Sequence, residues 1–131
     1  MNSIRNELKD IMMSKCGIFR NREGLELCLN KIKGLQDRFK KSKITDRSKV
    51  FNTELIETIE LRHMLEFSEV IIVSAIAREE SRGSHARTDF SKRDDVKWLK
   101  HTLAYKRDDG EIELKYKPVA ITRYQPEERK Y

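Results

Sequence analysis

Apolar residues recur at helical spacing through the first eighty positions of the chain and predict helices there. The first helix should begin at Ser3, a residue type that favours helix N-caps. It should end at Cys16-Gly17, where the glycine can adopt the left-handed capping conformation. Its apolar positions are Ile4, Leu8, Ile11 and Met12.

A second helix should follow Asn21, which can cap its N-terminus. Its apolar positions are spaced three, four, three and four residues apart; they are Leu25, Cys28, Ile32, Leu35 and Phe39. This heptad pattern is typical of helices that pack at a shallow angle in a bundle. From Lys40 to Ser48 the pattern gives way to charged and small polar residues, which indicates a linker.

The third predicted helix runs from about Phe51 to Ser81, with Gly83 as its stop. Two apolar stripes coexist on it, and a helix with so wide an apolar face contacts more than one neighbour. One stripe contains Leu61, Leu65, Ile72 and Ala75, and the other contains Met64, Phe67 and Ile71.

After Phe90 the apolar pattern changes from helical to alternating, which predicts strands on either side of the turn Arg107-Asp108-Asp109-Gly110. The predicted fold class is therefore mainly α: a three-helix, spectrin-repeat-like bundle followed by a small β-hairpin and an extended C-terminal tail. We assign the bundle to residues 1–90. We assign the hairpin and tail to residues 91–131 and expect them to pack on the bundle as one structural domain.

Charge is abundant: 38% of the 131 residues are charged, against ~25% in ordinary globular proteins. The net charge of +6 permits anionic partners without naming one. Cys16 and Cys28 match no metal-ligand spacing, and we expect reduced thiols. The longest near-continuous apolar run, Val70–Ala77, is too short to span a bilayer, so we expect no direct membrane insertion. The N-terminus mixes Arg5, Glu7, Lys9 and Asp10 without an apolar stretch, so we expect no signal peptide.

Arg82, His85 and Arg87 place two or three cations just past the end of the third predicted helix. In one interpretation they satisfy the last carbonyl groups of that helix. In another they bind a carboxylate or phosphate, for which the arginine fork is well shaped. The neighbouring acids Glu79, Glu80 and Asp89 favour the first interpretation, since they can neutralise the cations internally.

The next segment offers a second group of polar candidates. Asp94 and Asp95 can form a carboxylate pair for acid–base work, but adjacent side chains rarely converge, and capping of a helix over Val96-Lys97-Trp98 explains them better. Trp98, the only tryptophan, is typical of a packed corner or an interface. His101 alternates with Leu99 and Leu103, which favours an inward or interface position over a catalytic base.

The segment Lys31–Lys49 has eight basic residues and two acidic ones. It is either a phosphate-binding face or a solvated helix end and linker, and without a base-reading module we expect no nucleic-acid partner. The chain contains no glycine-rich dinucleotide fingerprint, phosphate loop, nucleophile elbow or paired metal ligands. We therefore assign no catalytic, cofactor-binding or metal residue and expect no complete active site.

Several blocks, in the same order, resemble the C-terminal domain of the flavoprotein subunit of succinate dehydrogenase and fumarate reductase. They are Met12–Arg20, Val50–Leu61, Ala77–Arg87 (AREESRGSHAR), Asp94–Tyr105 (DDVKWLKHTLAY) and Tyr124–Tyr131. Ser91 departs from the family, which commonly has proline after the aromatic residue. The last two blocks resemble succinate dehydrogenase more than its relative L-aspartate oxidase.

The resemblance implies that FAD and the dicarboxylate-binding groups belong to other domains of a parent subunit active in succinate–fumarate electron transfer. It also implies a C-terminal domain that packs on the FAD domain and toward the iron–sulfur subunit, on the cytoplasmic side and peripheral to the inner face of the membrane. We expect a chain that is inactive in isolation. The expected docking residues are Arg82, His85, Arg87, Asp94, Asp95, Trp98 and His101. The alternatives are a basic helical module for nucleic acid and the equivalent domain of L-aspartate oxidase.

Overall fold

Three helices and two pairs of short strands form the regular structure of residues 1–127, the part that the computed structural model describes. The mainly α fold class, with a helical part followed by a hairpin, is confirmed. The chain divides into two units, Met1–Arg93 and a second unit that begins at Asp94. The end of the predicted tail, residues 128–131, lies outside the described residues.

Helix α1 spans Asn2–Lys15 and buries Ile4 and Leu8. The prediction of Ser3 as its N-cap is wrong, because Ser3 lies inside the first turn and its hydroxyl donates to Glu7 at 2.9 Å. The predicted end at Cys16 is confirmed, but the left-handed Gly17 is not; among the described glycines a positive φ occurs at Gly83 and Gly110. Glycine is favoured at position 17 for a different reason: a Cβ there would lie 2.9 Å from the Met13 carbonyl oxygen.

Helix α2 spans Arg22–Lys40 and begins as predicted, since the Asn21 side chain accepts a hydrogen bond from the Gly24 amide at 2.7 Å. The heptad stripe forms the centre of the core. Four of its five members are buried, namely Leu25, Cys28, Ile32 and Leu35, and Phe39 packs at the margin. Each large aliphatic side chain buried in this way contributes about 1.5–3 kcal/mol to folding.

Helix α3 spans Thr53–Ala77, so it is shorter at both ends than predicted. The first predicted stripe is buried in full, at Leu61, Leu65, Ile72 and Ala75. The second is divided: Met64 and Ile71 pack beside the core, whereas Phe67 is exposed. Gly83 does not end the helix, because the last helical residue, Ala77, lies six positions before it.

The three helices of the first unit all contact one another, with α2 packed on both α1 and α3. A parallel pair of two-residue strands, β1 (Phe19–Arg20) and β2 (Ala86–Arg87), joins the end of the α1–α2 connection to the segment after α3. The Ala86 amide donates to the Ile18 carbonyl at 3.1 Å, and the Thr88 amide donates to the Arg20 carbonyl at 2.8 Å. This strand pair was not predicted from the sequence.

In the second unit, β3 (Lys100–Lys106) and β4 (Ile112–Pro118) form an antiparallel hairpin in which Thr102 faces Tyr116. The hairpin and its turn are confirmed. Gly110 has φ of 87°, a conformation that side chains with a Cβ rarely adopt, and its amide donates to the Arg107 carbonyl at 2.9 Å. Among residues 1–127 no helix is long and apolar enough to cross a bilayer.

Candidate functional site

The segment after α3, residues 78–90, is irregular in backbone but tightly bonded; we call it the post-α3 loop. Arg87 is its centre, and its side chain is fully buried. One guanidinium nitrogen, Nη1, donates to the carbonyl oxygens of Ala75 at 2.8 Å and Ile76 at 3.1 Å. These are the last carbonyls of α3, which have no partner within the helix. Arg87 therefore caps α3, as the first interpretation of the cations predicted.

The other side of the Arg87 guanidinium forms a two-bond ion pair with Asp89, with both nitrogen–oxygen distances at 2.7 Å. These bonds hold the pKa of Asp89 well below its usual range, although burial acts in the opposite direction. A smaller lowering of the pKa comes from the Arg22 amide, which donates to Asp89 at 2.9 Å. The Phe90 ring lies 4.9 Å from the Arg87 guanidinium carbon. Arg87 thus connects the end of α3 to the start of α2 and explains why α3 ends at Ala77.

A second buried charge, Glu80, lies three residues beyond α3 and has no exposed surface. Arg78 donates to it from one side, and Arg82 from the other with two bonds of 2.9 and 3.0 Å. A buried carboxylate is costly unless it is paired and hydrogen-bonded, and here both conditions are met. From the sequence, Glu80 was expected only to neutralise nearby cations. Its burial could have been suspected from the two arginines, Arg78 and Arg82, that lie two positions before and after it.

His85 bridges the loop and β1. Arginine can only donate, so His85 Nδ1 accepts from Arg20 Nη1 at 3.0 Å, and Nε2–H donates to the Arg78 carbonyl at 3.0 Å. Burial lowers the pKa of His85, and the charges of Arg20, Arg87 and Arg78 act in the same direction, whereas the bond to the Arg78 carbonyl opposes it. The imidazole is therefore neutral near pH 7.

The turn Arg82-Gly83-Ser84-His85 forms the tip of the post-α3 loop. Reciprocal backbone bonds close it, from Arg82 to His85 at 2.9 Å and from His85 to Arg82 at 3.1 Å. Gly83 has φ of 57° at the tip, and Gly83 and Ser84 are exposed. At the base of the loop, Ser81 Oγ accepts from the Arg87 amide and donates to the Phe90 carbonyl, both at 2.8 Å. The loop thus exposes one turn of defined conformation, and hydrogen bonds hold the residues beneath that turn.

The candidates in the second unit are arranged around a turn rather than a helix. Asp94 Oδ1 accepts from the amides of Val96 at 3.0 Å and Lys97 at 2.9 Å. The predicted helix over Val96-Lys97-Trp98 does not form, because the chain makes one turn and then enters β3. Asp94 caps that turn, and Asp95 beside it is half-buried.

Trp98 is 4% exposed and makes an edge-to-face contact with Tyr116, with ring centroids 5.7 Å apart. The Lys100 ammonium group lies 4.8 Å from the Trp98 ring centre and 4.2 Å from that of Tyr116. These contacts are the packed corner that a lone tryptophan indicated. His101, one position further along β3, is exposed and pairs with Lys117 across the hairpin.

The described residues, 1–127, contain no cluster of histidine, cysteine and carboxylate side chains that could hold a metal ion. Cys16 and Cys28 are free and buried. Burial raises the pKa of both thiols, to about 11 for Cys28, so neither is poised as a nucleophile.

Comparison with known proteins identifies the class. Residues 5–131 match the family model described as fumarate reductase flavoprotein C-term. The Escherichia coli fumarate reductase flavoprotein subunit is 48% identical over 98% of this chain and 22% of its own length. The succinate dehydrogenase flavoprotein subunit of Rickettsia conorii is 39% identical over 91% of this chain and 20% of its own length. A solved E. coli quinol fumarate reductase structure superposes with a TM-score of 0.92 at 46% identity, covering 97% of this chain and 22% of that one.

The helical unit, its bonded loop and its hairpin are thus those of a flavoprotein-subunit domain. The chain belongs to the family of C-terminal domains of fumarate reductase and succinate dehydrogenase flavoprotein subunits. It spans about a fifth of the length of the relatives it matches.

The residues described here do not fit FAD. Dinucleotides bind where a strand passes through a glycine-rich turn into a helix, whose N-terminus faces the diphosphate. The corresponding step here, from β1 into α2, passes through Asn21 without a glycine, and the Asn21 side chain occupies the Gly24 amide. We assign no cofactor role to any residue of this chain.

Proposed function

We propose that this chain is the docking domain of a flavoprotein subunit of the succinate dehydrogenase and fumarate reductase type. It holds the FAD domain of the same subunit and the iron–sulfur subunit in place during succinate–fumarate electron transfer. The observation that carries the proposal is the post-α3 loop. Two buried ion-pair systems, Arg87–Asp89 and Arg78–Glu80–Arg82, hold one short irregular segment in a single conformation.

Such bonding is most useful where a loop must keep its shape against a partner, because preorganisation lowers the entropy cost of association. The exposed turn at Gly83 and Ser84, with Arg82 and His85 at its edges, is the part we assign to the interface. Arg87 is buried, so we assign it a positioning role within the loop.

In the second unit we assign His101 to the interface because it is exposed. We also assign Asp94 and Asp95 to the interface because they lie at the first turn of that unit. Trp98 is buried, and its role is to position the Lys97–Lys100 segment. The two surfaces are assigned separately, one to each unit.

In this proposal FAD and the dicarboxylate site belong to the polypeptide that precedes this domain in the relatives, and the chain alone is inactive. The parent complex is cytoplasmic and peripheral to the inner face of the membrane. The nucleic-acid alternative is less favoured, because three cations of Lys31–Lys49 already form ion pairs: Lys31 and Arg38 with Glu7, and Lys40 with Asp37.

A hybrid subunit tests the proposal. The chain replaces the matching C-terminal fifth of the E. coli fumarate reductase flavoprotein subunit, with which it shares 48% identity. We expect the hybrid to retain flavin and to co-purify with the iron–sulfur subunit, which is measured by flavin absorbance and subunit stoichiometry. A hybrid that folds but never co-purifies with that subunit would contradict the docking role.

The loop itself is tested by Ser84→Tyr, which adds bulk at the exposed tip without touching the ion pairs beneath it. The matched control is Asp108→Tyr at the exposed tip of the hairpin. We expect Ser84→Tyr to lower the yield of assembled complex at least tenfold and the control to leave it unchanged. Equal yields for the two variants would remove the loop tip from the interface.

A further inference from the structure

Helix α3 is apolar on two opposite faces, and the first unit covers only one of them. The core face carries Leu61, Leu65, Ser68, Ile72 and Ala75, all buried. Positions two residues further along lie roughly 200° away around a helix with 3.6 residues per turn. The opposite face therefore carries Ile56, Ile59, His63, Phe67 and Val70, at spacings of three, four, four and three residues.

This outer face is open to solvent along the N-terminal part of the helix. Ile56 is 57% exposed, Ile59 38% and Phe67 66%. An apolar stripe with spacings of three and four residues is the face that a helix normally packs against a neighbour.

Two more large apolar residues precede the helix at the same end. Val50 is 70% exposed and Phe51 94%. Phe51 also has φ of 54°, a left-handed conformation that costs a bulky residue free energy. Its surroundings hold it there: the Phe51 carbonyl accepts from the Thr53 amide at 2.9 Å, and Asn52 Nδ2 donates to the Asp46 carbonyl at 3.0 Å. These bonds fix the backbone, but the first unit leaves the aromatic side chain of Phe51 in solvent.

The apolar surface is bordered by cations on its linker side, whereas Glu57 and Glu60 adjoin it on α3 itself. The adjoining linker, residues 40–49, carries five cations and one carboxylate, Asp46. Asp46 is occupied locally, since its Oδ1 accepts from the Ser48 amide at 2.8 Å. The chemistry therefore favours an occupant with an apolar centre and carboxylates at its edge.

We propose that the outer face of α3 (Ile56, Ile59 and Phe67), together with the adjoining Val50 and Phe51, packs against the polypeptide that precedes this domain in the flavoprotein subunit. The inference rests on the proposed function. The relatives carry about four-fifths of their length outside the segment matched here. A partner in the same chain is present at high effective concentration, so it can keep this apolar face covered permanently. The side chains that meet it are apolar, with acidic residues facing the linker.

The test uses the hybrid subunit, in which Phe51→Ser and Phe67→Ser are combined. We expect at least a tenfold loss of flavin-containing hybrid subunit, measured as flavin absorbance per mole of soluble protein. The matched control combines Met13→Ser and Leu27→Ser, two exposed apolar residues on α1 and α2, and should retain the yield. In the isolated chain the urea midpoint of the Phe51/Phe67 variant should equal that of the unsubstituted chain, which separates lost docking from lost folding.

The outcomes are distinguishable from failure of the proposed function. If the unsubstituted hybrid already fails to assemble, the proposed function fails. If it assembles and the Phe51/Phe67 variant assembles equally well, the outer face of α3 is not the docking surface. Sedimentation of the isolated chain as a dimer that the two substitutions dissociate would identify a second copy as the occupant and overturn the proposal. Salt-sensitive binding of duplex DNA, abolished by the same substitutions, would overturn it as well.

Discussion

Arg87 shows how much structure one side chain can organise when its charge is buried. Its guanidinium group satisfies two carbonyls at the end of α3 and both carboxylate oxygens of Asp89, and the Asp89 carboxylate also accepts the first amide of α2. The sequence offered capping and anion binding as alternatives for Arg87. The structure selects capping because a fork with five donors can serve helix carbonyls and a carboxylate at the same time.

Replacing Arg87 with alanine should lower the free energy of unfolding of the isolated chain by about 3 kcal/mol, since it leaves a partly buried carboxylate and helix carbonyls without their donor. The matched control is Arg107→Ala. Arg107 forms the same two-residue-apart pair with Asp109 but on an exposed turn, so its loss should cost less than about 0.5 kcal/mol. Urea unfolding followed by circular dichroism measures both. Similar losses for the two variants would show that Arg87 has no capping role.

His85 predicts a pH dependence whose sign follows from its lowered pKa. Because the folded state disfavours the proton, the unfolded chain takes it up first as the pH falls through about 6.5, the ordinary histidine value. The contribution of His85 to the free energy of unfolding should therefore be fully present above that pH. It should decline below that pH until the pKa of His85 in the folded state is reached. Carboxylates with a lowered pKa, such as Glu7 with a pKa of about 2, affect the free energy of unfolding only at lower pH.

Unfolding free energies at pH 7.5, 6.5 and 5.5 measure this decline. His85→Gln keeps a donor and an acceptor but cannot titrate, so it should flatten the slope between pH 6.5 and 5.5. The matched control is His101→Gln, which replaces a histidine at an exposed strand position outside the post-α3 loop. An unaltered slope in His85→Gln would assign the pH dependence to another group.

At the scale of elements, the parts that the sequence predicted are those whose signal is local. The heptad of α2 and the alternation of β3 and β4 are periodic over many residues, and each was found. The end of α3 was placed four residues too late because the groups that end it, His85 and Arg87, come from beyond the helix. The β1–β2 pair was missed because two strands of two residues have no period, and their partners are 67 positions apart.

Two glycines in different backbone conformations should respond oppositely to alanine. Gly34 lies within α2 with open space where a Cβ would be, so Gly34→Ala should stabilise the chain by about 0.5–1 kcal/mol. Gly83 also has open space, but its φ is +57°, so Gly83→Ala should destabilise by about 1–2 kcal/mol. Chemical denaturation of both variants measures the difference. A stabilising Gly83→Ala would mean that the tip of the post-α3 loop is free to change conformation.

At the scale of the whole molecule, the chain matches about a fifth of the length of its relatives, and its surfaces are those expected of the docking domain that we propose. Exposed aromatic and aliphatic residues lie on α3, and two networks of buried charge shape one loop. Sequence resemblance identified the family, since its blocks occur in order along the chain. It did not separate buried from exposed side chains among the expected docking residues, as Arg87 and Trp98 show, because burial depends on contacts that no local pattern encodes.

The isolated chain should purify without flavin, because the step from β1 into α2 lacks the glycines that a diphosphate needs. After gel filtration with added FAD, we expect the chain to show only background absorbance between about 350 and 500 nm. The assembled hybrid subunit provides the positive control. Stoichiometric FAD that co-elutes with the isolated chain would contradict this prediction and our assignment of no cofactor-binding residue.

The parallel pair β1–β2 has a consequence for the linker between α2 and α3. Because the pair and the α2–α3 core both hold the two halves of the first unit together, we expect the peptide bond after Lys43 to be dispensable once the unit has folded. A single proteolytic cut after Lys43, which is exposed, should give two fragments that migrate as one species in native electrophoresis and separate only in denaturant. Expressed separately, the same fragments would serve as a self-assembling split protein, in which reassociation reports that α3 has found its place against α2.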